Sequence, residues 1–261
     1  MILRTALFSG AALLLAAPFA SAAPVVGLLA DGMLVAFDSE SPSEVTTMEV
    51  TGAGRLVGID LRPSNNTLVG VTAEGAIVTI DPATGAATAL SMMNVALPMA
   101  GMPVIVDFNP MADKLRLMTG TTNHRVDVDT GAVTVDGSLA YETGDMHAGE
   151  APMIAAAAYA NSYGKPEATA MYDIDTTIGA LIRQTAPNDG TLAAIGKLGM
   201  EMADTTPSFD IQTTADGTNS AWLIASGVIY SVDLESGRAT AAGMIEGVDG
   251  DLIDFAVLPA M

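Results

Sequence analysis

Short runs of alternating apolar residues that stop at an aspartate recur five times along the chain. They are Leu34–Phe37 before Asp38, Ile77–Ile80 before Asp81, Val126–Val128 before Asp129, Met171–Ile174 before Asp175, and Ile229–Val232 before Asp233. Four of the turns that follow end in glycine, at Gly85, Gly131, Gly179 and Gly237, and the first carries Pro42 instead. Alternation with period two predicts half-buried strands. Aspartate hydrogen-bonds its own turn backbone and glycine accepts positive φ, so each unit predicts strand, tight turn, strand. The five aspartates lie 43, 48, 46 and 58 residues apart. A repeat of ~40–50 residues holds about four short strands, the size of a propeller blade.

A second landmark precedes four of these hairpins or closes the chain. It is an apolar run centred on an aspartate: Val57–Arg62, Val104–Asn109, Ser208–Gln212 and Leu252–Val257. Ile154–Ala160 is the matching run in the middle of the chain, with Ala158 in the aspartate's place. Aligned in this way, Asp60, Asp107, Ala158, Asp210 and Asp254 are spaced by 47, 51, 52 and 44 residues. The first hairpin has no such run before it, and the last run has no hairpin after it. The two half-units complete each other, as they do when a ring of blades removes its open edge. The expected fold is all-β: a five-bladed β-propeller closed by pairing of the C-terminal strand with N-terminal strands. Its blades are placed at 55–90, 103–136, 153–196, 207–244, and 252–258 joined with 25–50.

The first residues read as a targeting segment. Arg4, the apolar stretch from Ala6 to Ala17, and Ala20-Ser21-Ala22 fit a signal peptide over 1–22, with 23–261 as one propeller domain. The expected product is exported, periplasmic or extracellular, and monomeric. With no cysteine it relies on core burial, not disulfides. The formal net charge is −20, with Lys114, Lys165 and Lys197 the only lysines. Nucleic acid is excluded as a partner, because phosphate binding needs clustered Lys and Arg. An anionic membrane surface is disfavoured for the same reason. The scattered acids read first as a solvated surface, and second as a capacity for cations.

The runs VGIDLRP, TLVGVT, VDFNP, LAYETGD, IAAAAYANS and APNDGTLAAIGKLG resemble a bacterial exported family, domain of unknown function 4394. The resemblance covers nearly all of the chain after residue 22, and VDFNP and PNDGTL are its most specific parts. It implies a β-propeller and an exported protein. It implies no activity, cofactor or catalytic set.

Candidate chemistry centres on Asp60, Asp107, Asp210 and Asp254. The first strand of each propeller blade lines the axis, so equivalent positions form a ring. An oxygen-rich ring suits Ca²⁺. Alternatively each carboxylate accepts backbone hydrogen bonds from the next blade and locks the seam, the usual role of repeated polar residues. The irregular stretch Tyr141–Met153 is expected to cover the channel mouth and to add Asp145 and His147 from above. A carboxylate-dependent hydrolase of glycosides or lactones is a further alternative. Its weakness is the scarcity of aromatic platforms, with Trp222 the only tryptophan. His124 and His147 are the only histidines, which rules out a multi-histidine metal centre within one chain. Met92, Met93, Met99, Met102, Met146 and Met153 offer thioethers to Cu(I), although methionine more often fills packing gaps. No nucleophile stands in a catalytic motif. The reading is therefore a non-catalytic binding or scaffold module.

Overall fold

The computed structural model describes residues 23–98, 101–202 and 206–259. The proposed signal peptide and Met99 lie outside them. The chain opens with β1 (Pro24–Leu29), β2 (Leu34–Asp38) and β3 (Ser41–Met48). A first complete blade follows in β4 (Leu56–Arg62), β5 (Thr67–Thr72), β6 (Ala76–Ile80) and β7 (Ala87–Met92). The second is β8 (Ile105–Asn109), β9 (Lys114–Thr119), β10 (Thr122–Asp127) and β11 (Ala132–Val135). A two-residue strand, β12 (Ala140–Tyr141), precedes the third blade of β13 (Ile154–Ala160), β14 (Ala170–Asp175), β15 (Ala180–Ala186) and β16 (Thr191–Lys197). The fourth is β17 (Ser208–Thr213), β18 (Asn219–Ala225), β19 (Val228–Val232) and β20 (Ala239–Met244), and β21 (Leu252–Val257) ends the series.

Five sheets result, antiparallel throughout except where β12 pairs in parallel with β16, and the closing one has the order β21-β1-β2-β3. Val25 faces Val257, and Val26 faces Ala256, across the β1–β21 ladder. The five-bladed propeller and its composite closing blade are thus as the repeats predict. Inner strands are buried on both faces, β13 at every residue, and therefore read as unbroken apolar runs. Outer strands such as β3 and β7 are largely solvent-facing, which explains their Ser, Thr and Ala content.

The core lies in the seams between sheets. Val57, Val69 and Ile77 pack on Val106, Phe108 and Leu117 between the first and second blades. Equivalent clusters fill the other four seams, for example Val25 and Phe255 against Trp222 and Ile224 where the fourth blade meets the closing one. Full burial of each such side chain contributes about 1.5–3 kcal/mol, so the seams supply most of the stabilisation.

Two details of the repeat differ from the sequence reading. In the second blade the turn is anchored by Asp127, not Asp129: Gly131 N–H donates to the Asp127 carbonyl at 2.8 Å. The Asp175 turn joins β14 to β15, one hairpin nearer the axis than the others, and the equivalent outer turn of the third blade is Ala186–Gly190. The outer-turn glycines also answer a packing demand. A Cβ on Gly131, at φ +73°, would lie 1.9 Å from the Met92 carbonyl oxygen of the preceding blade.

Candidate functional site

Strand register fixes which residues share one level of the axis. Counting back equally from the ends of β1, β5, β9, β14 and β18 reaches Val26, Val69, Arg116, Tyr172 and Trp222. Their inner-strand partners are Ala256, Asp60, Asp107, Ala158 and Asp210. The ring level therefore holds three aspartates and two alanines. Asp254 pairs with Leu28 and sits two residues lower, level with Gly58. The expectation of four equivalent aspartates is corrected on this point. A shift of two residues keeps a side chain on the same strand face, so alternation alone does not reveal it.

The three ring carboxylates satisfy five backbone amides, each one residue beyond the ring level. Asp60 accepts from Leu61 at 2.7 Å through Oδ1 and from Phe108 of the next blade at 2.6 Å through Oδ2. Asp107 accepts from Tyr159 of the third blade through Oδ1 at 2.9 Å. Asp210 accepts from Ile211 through Oδ1 at 2.6 Å and from Val257 of the closing blade through Oδ2 at 2.7 Å. Where the preceding blade carries alanine, the aspartate serves its own following amide as well. Five of six oxygens are thereby committed, leaving Asp107 Oδ2 without a hydrogen bond from the described residues.

The two seams headed by alanine are tied by other means. Asp254 Oδ2 accepts from Ile59 of the first blade at 2.8 Å, one level below Ala256. Beside Ala158, Ser162 Oγ donates to the Ile211 carbonyl at 2.8 Å, and Asn161 exchanges hydrogen bonds with Asn219. Every seam at the axis thus has a polar tie in addition to its apolar packing.

Ligand oxygens of Asp60, Asp107 and Asp210 lie within 4.8 Å of one another, and all three residues are buried. Burial raises the Asp60 carboxyl well above the usual carboxylate range, reinforced by Asp210. Asp107 is raised well above it too, by burial and then by Asp60 and Asp210. Burial pushes Asp210 up to about 6, against the pull of its two amide bonds. Asp254 is raised well above the range by burial, with a small repulsion from Asp210.

The trio forms the floor of a cavity of about 370 Å³ at the axial mouth, walled by Asn66, Tyr163 and Gln212 among others. Tyr163 comes from the β13–β14 connection, so that loop lies at the mouth. The Tyr141–Met153 stretch does not. β12 pairs in parallel with the outermost strand β16, and Asp145 Oδ2 accepts from Ala194 on β16 at 2.8 Å. His147 meets Glu150 at 2.9 Å and stacks obliquely 5.4 Å from Tyr141. Asp145 and His147 are therefore far from the ring, on a segment that covers an exposed sheet edge. The methionines are likewise dispersed: Met92 and Met146 are exposed, and Met102 lines a separate pocket.

Residues 33–256 match the family described as Domain of unknown function (DUF4394). The chain belongs to this family. No curated protein matches it. Among solved structures, a structural-genomics protein of unknown function from Bacteroides thetaiotaomicron is similar at 14% identity and TM-score 0.53. The match covers 89% of this chain and 61% of that one, so this chain spans less than two thirds of its length. An auxiliary nutrient binding protein from Bacteroides ovatus aligns at 14% identity and TM-score 0.46, over 82% and 57% of the two chains. A chain of a nidogen/laminin complex aligns at 8% identity and TM-score 0.52, over 92% and 99%. At these identities the likeness concerns the fold.

This DUF4394 member also buries charges that the repeat motifs did not single out. Arg116, 1% exposed, reaches Asn123 and Asp136 at 2.7 Å and Asn188 at 2.9 Å across the second seam. Asp173 is fully buried, accepts from Gln184 Nε2 at 3.0 Å, and is pushed up to about 7 by burial. The available signal was a charge at an inward position of an alternating strand, in KLRLMT and MYDID.

Proposed function

We propose that the protein is an exported, non-catalytic binding module whose ligand seats in the axial mouth on the floor formed by Asp60, Asp107 and Asp210. The observation that carries this reading is the convergence of three blades' buried carboxyls beneath one open cavity. Both oxygens of Asp60 and of Asp210 already accept backbone hydrogen bonds. That commitment favours binding over the hydrolase alternative, which needs one carboxyl free to take up or deliver a proton and a second facing the reacting bond.

A cation is the second reading, supported by the mutual distance of the three oxygens. A triangle of such a side places its centre at most about 2.8 Å from each corner, close to the 2.3–2.6 Å of Ca²⁺ coordination. Thermal melts of residues 23–261 against calcium chloride, neutral sugars and small amines test both readings. A ligand that binds only the folded state raises the melting temperature. The expected result is a rise with one class, lost in Tyr163→Ala and Gln212→Ala. Turnover of a glycoside or lactone, abolished by one Asp→Asn change, would replace this reading with the hydrolase. Export is tested by the mass of the protein recovered outside the cytoplasm, expected to begin at Ala23.

A further inference from the structure

We propose that the groove between the second and third blades is a second binding site, one that takes a neutral saccharide. It is separate from the axial cavity and does not depend on what that cavity holds. Three observations lead to it.

The first is the groove itself. It measures about 630 Å³ and is lined by Asn109 after β8, Glu167 before β14, Gln184 on β15, and Asn188 and Asp189 in the outer turn of the third blade. That volume lies within the roughly 300–1,000 Å³ usual for small-molecule sites. Tyr159 on β13 lines both this groove and the axial cavity, so the two are neighbours.

The second is a set of polar groups on its wall with hydrogen-bonding capacity to spare. Tyr159, 2% exposed, accepts from Nε and Nη2 of Arg116, both at 3.3 Å. A guanidinium has no acceptor, so the tyrosine's own proton must go elsewhere. Asn109 adjoins the same oxygen, but its Oδ1 already accepts from the Met111 and Ala112 amides. No acceptor for the Tyr159 proton stands among the described residues, and the two guanidinium bonds strengthen that O–H as a donor. Asn188 turns its Oδ1 to Arg116 at 2.9 Å, which leaves its Nδ2 without a partner among the described residues. Gln184, also 2% exposed, gives Nε2 to Asp173 at 3.0 Å, while its Oε1 has no partner among the described residues. An unpaired buried acceptor is costly, and a donor entering from the groove removes that cost.

The third is the balance of charge. Glu167 and Asp189 are exposed carboxylates on the rim, and Arg183 lines the groove with its guanidinium 4.8 Å from the centre of the Tyr172 ring. Behind the wall lies Arg116, whose partner Asp136 is shared with Arg125. Neither a cation nor an anion meets a field of one sign here, in contrast to the acidic floor of the axial cavity.

The occupant must therefore be neutral, must accept from Tyr159 and Asn188, and must donate to Gln184, Glu167 and Asp189. A hydroxyl group does both on one atom, and a sugar carries several in a row. Met111, Ala168 and Pro187 offer apolar surface to its C–H faces.

The test is isothermal titration calorimetry of residues 23–261 with maltose, cellobiose, lactose and trehalose, and with citrate and spermidine as charged controls. At least one sugar is expected to bind with a Kd below about 1 mM. The Glu167→Ala/Asp189→Ala variant removes two exposed acceptors without touching the core, and should weaken that sugar at least tenfold, about 1.4 kcal/mol or more. Tyr159→Phe should weaken it too, whereas Gln212→Ala and Tyr163→Ala, which alter the axial cavity, should leave it unchanged. Binding of no sugar, or of the charged controls alone, overturns the proposal. So does sugar binding that survives Glu167→Ala/Asp189→Ala and is lost in Gln212→Ala, which would put the sugar in the axial cavity. Should Tyr159→Phe fail to fold, the Glu167→Ala/Asp189→Ala result decides.

Discussion

Val25 and Val257, from opposite ends of the chain, face each other across the ladder that closes the ring. Val257 also donates its backbone N–H to Asp210 of the fourth blade at 2.7 Å, so one residue joins the closing sheet and the axial network. Removing residues 252–261 deletes β21, exposes the edge of β1, strips Phe255 and Val257 from the last seam, and takes away the partners of Asp210 Oδ2 and Ile59 N–H, while Asp210 Oδ1 keeps its bond from Ile211. Losing the two large apolar side chains alone costs about 3–6 kcal/mol. We expect the truncated protein to melt more than about 10 °C below residues 23–261, or not to fold. A melt within a degree or two of full length would show that closure contributes little.

The amide count at the axis ranks three substitutions. Asp60→Ala leaves Leu61 and Phe108 N–H without acceptors, and Asp210→Ala does the same to Ile211 and Val257. Asp107→Ala leaves only Tyr159. At about 1–3 kcal/mol for each buried amide left unpaired, the first two lose roughly twice as much stability as the third. Relief of carboxylate repulsion lowers all three losses, more at high pH than at low. Denaturant melts at about pH 5 measure the order with that relief at its smallest. An Asp107→Ala loss equal to the other two would contradict the hydrogen-bond assignment.

The blade count and the closure were legible because they rest on repeat length and on half-units at the two ends. What escaped the sequence has physical causes. Asp254 slips two residues down its strand, and a slip of two leaves every side chain on its original face. The Asp175 turn has the same Asp-to-Gly chemistry as the outer turns, although it joins β14 to β15, because turn residues report a local conformation and not a place in the sheet. The length of Tyr141–Met153 marked it as unusual, but only the pairing of β12 with β16 reveals that it covers a sheet edge. The ring was legible as a repeat of aspartates. Its division of labour was not, because it depends on which two blades carry alanine.

Gly58 lies beside Asp254 across the seam between the closing and first blades. A Cβ there would stand 2.3 Å from Val106 Cγ2 and 2.9 Å from Asp254 Oδ2. Both neighbours are fixed, Asp254 by its bonds to Ile59 and Phe255 and Val106 by the core of the next seam. Gly58→Ala therefore requires the inner strand to shift, at about 1–3 kcal/mol. Gly144→Ala, with nothing within 4 Å of its Cβ position, is the matched control. Equal melting temperatures for the two variants would mean that the axis is looser than these distances imply.

Asp173 supplies a pH dependence of its own, away from the axis. It is buried on β14, its carboxyl is pushed up to about 7 by burial, and its Oδ1 has no partner among the described residues. Gln184 and the field of Arg116 pull the other way without compensating. The folded state therefore keeps a proton that the unfolded chain releases near the ordinary aspartate value of about 4. Protons bound in the folded state exceed those in the unfolded state between these two values, so stability falls as pH rises from about 4 to about 7 and levels off above. Asp173→Asn removes that fall while its side-chain oxygen can still accept from Gln184. Urea midpoints measured across this range should decline less steeply in Asp173→Asn than in wild type. Identical declines would mean that Asp173 is ionised in the fold, with Arg116 or a buried water compensating its charge.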